Sequence, residues 1–218
     1  RQVDCLRCIS RYLQQAGLSF SQTYIAAALV ANPKIAAELV ATFEARFDPD
    51  AYAYPASREA AVAGHYASLD AQLEAVASLD HDRILRAFFA VIKACVRTNA
   101  FTGADVLAIK LRPELLDLLP QPRPAFEVFT YSARLAGVHL RFGAVARGGL
   151  RWSDRREDFR TEVLGLVKAQ MVKNTVIVPV GAKGGFVPLN LPPASDRAAW
   201  LAEGQTCYRL FVDALLSV

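Results

Sequence analysis

One stretch of the sequence decides the fold class: residues 156–187 read REDFRTEVLGLVKAQMVKNTVIVPVGAKGGFV. Apolar residues recur every three or four positions in its first half, from Phe159 through Val163 to Val167, which predicts a helix with one packed face. The apolar run TVIVPV predicts a short buried strand. GAKGG then predicts a glycine-rich turn centred on Lys183, because glycine lets the backbone approach a ligand closely. This order indicates an α/β layer.

The segments before this stretch are predicted to be strands. Residues 105–111, 125–132 and 137–145 are rich in β-forming residues, and LPQPRP interrupts any helix between the first two. A closing helix is expected to begin after Ser195 as its N-cap. We therefore predict a mixed-sheet α/β domain over residues 102–218.

Residues 1–101 are predicted to form a helical N-terminal segment. Leu6, Ile9 and Leu13 share a helical face that ends near Gly17, and a second helix is expected to start at Pro33. Two further helices are predicted, one over 57–78 capped by Ser57 and one capped by Asp80. The fold class is thus a helical segment followed by an α/β domain.

Composition excludes several classes of function. The 25 Lys and Arg residues against 21 Asp and Glu give a net charge of only +4, so no nucleic-acid partner is expected. No apolar run is long enough for a membrane span and no signal peptide is evident, which predicts a cytoplasmic protein without a membrane partner. Cys5 and Cys8 form a CxxC pair without a second pair, so no metal site is expected.

Three cationic residues stand beside glycines or at the end of an element: Arg147, Lys173 and Lys183. Taken singly, each has a structural explanation, since Lys173 complements a helix C-terminus and Lys183 suits a solvated turn. Taken together with Gln170, one helical turn before Lys173, they suggest a site for an anion. Lys173 is expected on the helical face of Glu162, Leu166 and Ala169, and this face is expected to pack inward. The GAKGG segment lacks the spacing of a phosphate-binding loop, and no GxGxxG is present.

The segment from RGGLRW at 147–152 to GAKGGFV at 181–187 resembles the substrate-binding domain of glutamate dehydrogenases. The sequence is most similar to that of the large, multidomain NAD-dependent bacterial class, over roughly residues 122–190. The resemblance implies that Arg147, with Gly148 and Gly149, holds the substrate's side-chain carboxylate. It implies that Gln170 and Lys173 bind the α-carboxylate and that Lys183 is the catalytic lysine. Small members of the family usually have lysine where Arg147 stands and glycine where Val180 stands.

The same resemblance implies a function in amino-acid catabolism. The expected reaction is oxidative deamination of L-glutamate to 2-oxoglutarate and ammonia with NAD. The Rossmann domain that binds NAD in this family, and the catalytic aspartate, are not found in this chain, so the chain alone is predicted to be inactive. It is expected to be a piece of a longer protein that forms a homo-oligomer.

Two alternative functions stay open on the sequence alone. Other amino-acid dehydrogenases share the lysine-bearing scaffold but recognise apolar side chains, and Arg147 favours glutamate over their substrates. A non-catalytic regulatory or interaction module is the second alternative, supported by the helical segment and the missing nucleotide fingerprint.

Overall fold

The structure is a computed structural model that describes residues 1–143, 148–173 and 181–218, with only the helical backbone for 171–173. The described residues form helices on both faces of one sheet. The helices are α1 (Gln2–Gln15), α2 (Gln22–Ala31), α3 (Pro33–Phe47), α4 (Pro55–Glu74), α5 (Leu79–Ala94), α6 (Phe159–Lys173) and α7 (Arg197–Leu216), with a short 3-10 turn at Pro113–Leu115. The strands are β1 (Cys95–Thr98), β2 (Leu107–Leu111), β3 (Phe126–Tyr131), β4 (Leu135–Arg141), β5 (Leu150–Trp152) and β6 (Ala182–Pro188).

The six strands make one mixed sheet in the order β1-β2-β3-β4-β6-β5. All neighbours are antiparallel except β5 and β6, which run parallel. A short hairpin joins β3 to β4, whereas the parallel pair β5 and β6 is joined through helix α6, as a parallel connection requires. The predicted fold class, a helical part followed by a mixed-sheet α/β part, is confirmed.

Successive side chains of each strand lie on opposite faces of the sheet, and each face packs against different helices. On the face that carries α1 and α6, the ring of Phe129 lies 5.4 Å from that of Tyr12 and 6.2 Å from that of Phe159. On the opposite face, Phe186 packs against Phe211 of α7 with ring centroids 5.6 Å apart. Helix α7 lies so close to β4 that a Cβ on Gly137 would stand 2.5 Å from the Phe211 ring.

The predicted glycine-rich turn around Lys183 is wrong, because residues 182–188 form strand β6. Pairing with β4 places Leu140 opposite Lys183 and Val138 opposite Gly185. Gly185 is needed in this strand because a Cβ there would lie 2.6 Å from Val163 of α6. Close helix packing, and not a turn, is therefore the reason for glycine at this position. The predicted strand at 175–180 lies outside the described residues.

The helical part differs from the prediction at several element ends and by an additional helix, α2, which was not predicted. Gly17 follows α1 with φ +100°, as a glycine that ends a helix should, and α3 begins at Pro33 as predicted. Helix α4 begins at Pro55 instead of being capped at Ser57. Residues 95–98, within the part predicted to be helical, form strand β1.

Two predicted N-caps are each displaced by one or two residues. Ser78, not Asp80, caps α5 by accepting a hydrogen bond from the His81 amide. Asp196, not Ser195, caps α7 by accepting from the Ala199 amide. At the start of both helices, neighbouring residues are able to act as the N-cap, and only the backbone geometry decides between them.

The two parts of the chain share one hydrophobic core. Cys8, Ile9 and Leu13 of α1 belong to the same buried cluster as Ile109 of β2 and Phe129 of β3. Helix α1 is therefore packed together with strands β2 and β3. The division of the chain into residues 1–101 and 102–218 stays a prediction.

Helices α2 and α3 together have the length and mean hydropathy of a membrane span. Among the described residues no single helix does so, and α2 and α3 are bent by 99° relative to each other. Ile25 of α2 and Leu39 of α3 are fully buried in the protein core.

A buried ion pair joins α6 to the sheet. The Arg160 guanidinium donates from Nε to Glu127 Oε1 at 2.7 Å and from Nη2 to Glu127 Oε2 at 2.8 Å. Only 3% of the Arg160 side chain and none of the Glu127 side chain is exposed. Burial by itself lowers the pKa of Arg160, but the charge and hydrogen bonds of Glu127 outweigh it and raise that pKa above its usual range. The Arg160 side chain is therefore charged in the folded protein.

We predict that removing one partner of this pair destabilises the 218-residue chain more than removing both. Glu127→Leu leaves a buried guanidinium unpaired and should lower the free energy of unfolding by about 3–5 kcal/mol, whereas Glu127→Leu with Arg160→Met should cost much less. Urea unfolding measures both. Asp158→Asn, which breaks the exposed pair between Arg155 and Asp158, is the control and should change it by less than about 1 kcal/mol. Equal losses in the single and double variants would contradict the prediction.

Candidate functional site

Lys183 is the second residue of β6 and lies on the sheet face that α6 covers. Its neighbour across β4 is Leu140, and the side chain is partly buried. The Nζ atom lies 3.9 Å from the position that a Cβ on Gly149 would take. The amine therefore ends beside a stretch of backbone without a side chain, where a ligand can approach it.

Strand β5 brings Gly148 and Gly149 to Lys183. The Gly184 amide donates to the Gly149 carbonyl at 3.1 Å, which starts the parallel pairing of β5 with β6. A Cβ on Gly148 would lie 1.3 Å from the carbonyl oxygen of Ala182. The backbone at Gly148 thus approaches the backbone at Ala182 so closely that only glycine fits at position 148. Gly149, in contrast, faces open space near the Lys183 amine.

Helix α6 brings Gln170 to the start of β6. The helix crosses the strand in the opposite direction, with Val163 over Gly185 and the Gln170 carboxamide over Gly181. A Cβ on Gly181 would lie 2.3 Å from Gln170 Oε1. Gly181 therefore leaves room for the amide group two residues away from Lys183.

The structure places four of the six predicted site residues around the first residues of β6: Gly148, Gly149, Gln170 and Lys183. Arg147 lies outside the described residues. Lys173 is the last residue of α6, so the helix that carries Gln170 carries it too, but its side chain is outside the described part. The roles given to these six residues by the family resemblance stay predictions.

The expectation that the face of α6 shared by Glu162, Leu166 and Ala169 packs inward is wrong. Leu166 and Ala169 are exposed, because α6 rests on the sheet through Phe159, Val163 and Val167 instead.

A polar network that the sequence did not reveal lies at the opposite end of α6 from Gln170. Arg151 of β5 contacts Glu162 with Nε to Oε1 at 2.6 Å, and the Ser153 hydroxyl donates to the other carboxylate oxygen. Glu162 also stands in the first turn of α6, where a negative charge is favourable. Arg151 and Glu162 are eleven positions apart on different elements, so neither helical nor strand periodicity could pair them.

Comparison with known proteins decides the family of this chain. The family described as "Bacterial NAD-glutamate dehydrogenase, catalytic domain" matches residues 68–218. The chain belongs to this family. A second description, "Glutamate dehydrogenase, helical motif 3", matches residues 1–49, which contain α1, α2 and α3.

Relatives in several organisms support the assignment. Over its whole length the chain is 54% identical to the NAD-specific glutamate dehydrogenase of Mycobacterium tuberculosis and 50% identical to that of Halomonas elongata. The enzyme of the same name from Neurospora crassa is 30% identical over 65% of the chain. The chain spans 14% of the length of each of these relatives. The resemblance to NAD-dependent glutamate dehydrogenases is confirmed, and NAD is the cofactor that the family name indicates.

The glycines of β6 do not fit the phosphates of NAD. A Cβ on Gly184 would lie 2.6 Å from Leu150 Cδ2, and one on Gly185 would lie 2.6 Å from Val163. Both positions are filled by the protein's own side chains, whereas a dinucleotide loop keeps its glycines open to the pyrophosphate. We conclude that β6 does not hold the cofactor's phosphates.

A metal site needs several grouped His, Cys, Asp or Glu side chains. Within residues 1–143, 148–173 and 181–218, no three His, Cys, Asp or Glu side chains are grouped to hold a metal ion. Cys5 and Cys8 are both buried, and burial raises the pKa of Cys5 to about 11. A protonated thiol is a poor ligand and a poor nucleophile.

We predict that the two adjacent glycines at this site differ sharply in their tolerance of a methyl group. Gly148→Ala forces the start of β5 away from β6 and should destabilise the chain by at least about 1–3 kcal/mol, the usual range for overpacking. Gly149→Ala makes only ordinary contact with the Lys183 amine and should change stability by less than about 0.5 kcal/mol. Thermal and urea unfolding of the two variants measure the difference. Similar stability of both variants would show that the close approach at Gly148 does not exist.

Proposed function

We propose that this chain supplies the substrate-binding side of the active site in a longer NAD-dependent glutamate dehydrogenase. The longer enzyme converts L-glutamate to 2-oxoglutarate and ammonia. Membership of the family supports the reaction, and the placement of Gly148, Gly149, Gln170 and Lys183 around one end of β6 supports the site.

The observation that carries the proposal is the surroundings of the Lys183 amine. Its Nζ faces the bare backbone of Gly149, and the helix that covers the same face of β6 brings the Gln170 amide to Gly181. A lysine in a solvated surface turn would have neither neighbour. A small carboxylate between these groups would receive hydrogen bonds from an amide and an ammonium or amine.

Each residue has one role in the proposed mechanism. Arg147 holds the side-chain carboxylate through its planar guanidinium, which can grip both carboxylate oxygens at once. Gln170 and Lys173 bind the α-carboxylate. Lys183 is the acid–base group that activates water for attack on the imino carbon during deamination. Gly148 lets β5 start against Ala182, and Gly149 leaves the space beside the Lys183 amine free of a side chain for the substrate.

The hydride acceptor is assigned to another part of the longer enzyme. We propose that a domain outside this chain holds NAD, which would supply the hydride acceptor of the reaction when bound. The proposed enzyme is cytoplasmic and homo-oligomeric.

Two other functions are separated from this one by kinetics. A dehydrogenase for apolar amino acids would turn over leucine or valine faster than glutamate, and Arg147→Leu would not harm it. A non-catalytic module would leave the reaction of the longer protein unchanged when Lys183 is replaced. The family match favours the glutamate enzyme over both.

We predict that Lys183→Ala in the full-length enzyme lowers kcat by about 10²–10⁴, the usual effect of losing a positioned acid–base group. The fold should be almost unchanged, because Ala fits the partly buried strand position. Steady-state kinetics with glutamate measure the loss, and Lys168→Ala on α6 is the matched control, expected to stay within about twofold of wild type. A near-normal kcat in a folded Lys183→Ala enzyme would end the catalytic assignment.

Lys173→Ala should differ from Lys183→Ala in the constant that it changes. A residue that holds the α-carboxylate equally in the ground state and the transition state contributes to binding alone, so its loss should raise KM for glutamate with little change in kcat.

A further inference from the structure

The first turn of α6 is bound by a residue from the distant helical part of the chain. The Gln15 carboxamide, near the end of α1, accepts a hydrogen bond from the Arg160 amide at 3.0 Å. The same carboxamide donates to the Arg156 carbonyl at 3.0 Å. Gln15 is only 7% exposed, and its bond to the Arg160 amide is buried.

The first of these bonds caps a helix from 145 positions away. The first amides of a helix have no partner within the helix and need one from outside. Arg160 is the second residue of α6, so its amide is one of these groups. A residue of α1 therefore completes the start of the helix that carries Gln170 and Lys173.

The buried ion pair stands at the same place. Arg160 bonds to Glu127 of β3, and Tyr12 of α1 lies beside them: burial raises the pKa of this tyrosine, and the Glu127 charge raises it further. Glu127 is opposite Leu140 in the sheet, and Leu140 is opposite Lys183. The pair therefore holds α6 against the row of sheet residues that contains the proposed catalytic lysine.

We propose that the helical segment is a positioning element for substrate binding, and that Gln15 acts on the substrate through α6 and Gln170. The inference rests on the proposed function of Gln170. It assigns a role to the segment matched by helical motif 3, which carries none of the predicted site residues.

The geometry of α6 turns a small movement at its start into a larger one at the site. Val163 packs over Gly185 between the two ends of the helix, and Arg160 lies three residues before this contact while Gln170 lies seven after it. At about 1.5 Å per residue, a rotation about the contact moves Gln170 roughly twice as far as Arg160. Misplacing a substrate-holding group by about 1 Å can cost on the order of 100-fold in rate or affinity.

The test is Gln15→Met in the full-length enzyme, which removes both bonds without burying a charge. KM for glutamate should rise by roughly tenfold while kcat stays within about twofold, because a misplaced Gln170 weakens ground-state and transition-state binding alike. Gln14→Met is the matched control, since Gln14 is the neighbouring residue and makes only an exposed bond to Glu157 at 3.0 Å. It should leave both constants unchanged.

Two further variants separate positioning from simple stabilisation. Gln15→Glu keeps the acceptor for the Arg160 amide and places a negative charge at a helix N-terminus, so it should restore most of the wild-type KM. In the double variant Gln15→Met with Gln170→Ala, KM should be no higher than in Gln170→Ala alone.

The outcomes distinguish this inference from the function on which it rests. If Gln15→Met lowers the melting temperature but leaves KM unchanged, while Gln170→Ala raises KM, the positioning role is wrong and the site stands. If Gln170→Ala leaves KM unchanged, the assignment of Gln170 is wrong and the inference falls with it.

Discussion

The ion pair between Arg160 and Glu127 is the constraint on which the site's geometry depends. Both side chains are enclosed, so neither charge has water to replace its partner. The two parallel hydrogen bonds fix direction as well as distance, because guanidinium and carboxylate are both planar. Helix α6 therefore has one favourable position over the sheet, and its far end meets β6 at a defined place.

Glycines determine how closely the elements around Lys183 can approach. Gly185 lets α6 rest directly on β6, and Gly148 lets β5 start against Ala182. Gly149 and Gly181 have a different effect, since they leave space beside the Lys183 amine and under the Gln170 amide. The glycine-rich sequence thus combines tight packing with an open position for a ligand.

Most of the fold could be predicted from regular patterns of apolar and β-forming residues in the sequence. The β-forming runs at 105–111 and 125–132 predicted β2 and β3, and the apolar spacing from Phe159 to Val167 predicted α6. Strand β1 was missed because Val96 continues the apolar stripe of α5, so helical periodicity extended past the true end. GAKGG was assigned to a turn because glycine has low strand propensity, and only the helix packed on top of it explains the strand.

The candidate site was predictable only in part. Lys183, Gln170 and the Gly148–Gly149 pair were found through the family resemblance, which preserves the order of short motifs. The contacts of Gln15 and Glu127 with Arg160 span 145 and 33 positions and have no local pattern. Such partners become visible only when the chain is folded.

The most direct measurement of the central claim is the reactivity of individual lysines in the full-length enzyme. Trace acetylation followed by mass spectrometry reports how accessible each amine is, with and without saturating 2-oxoglutarate. If the site lies at the start of β6, bound 2-oxoglutarate should protect Lys183 and Lys173 and leave Lys168 as reactive as before. Unchanged reactivity of Lys183 in the presence of bound 2-oxoglutarate would contradict the account.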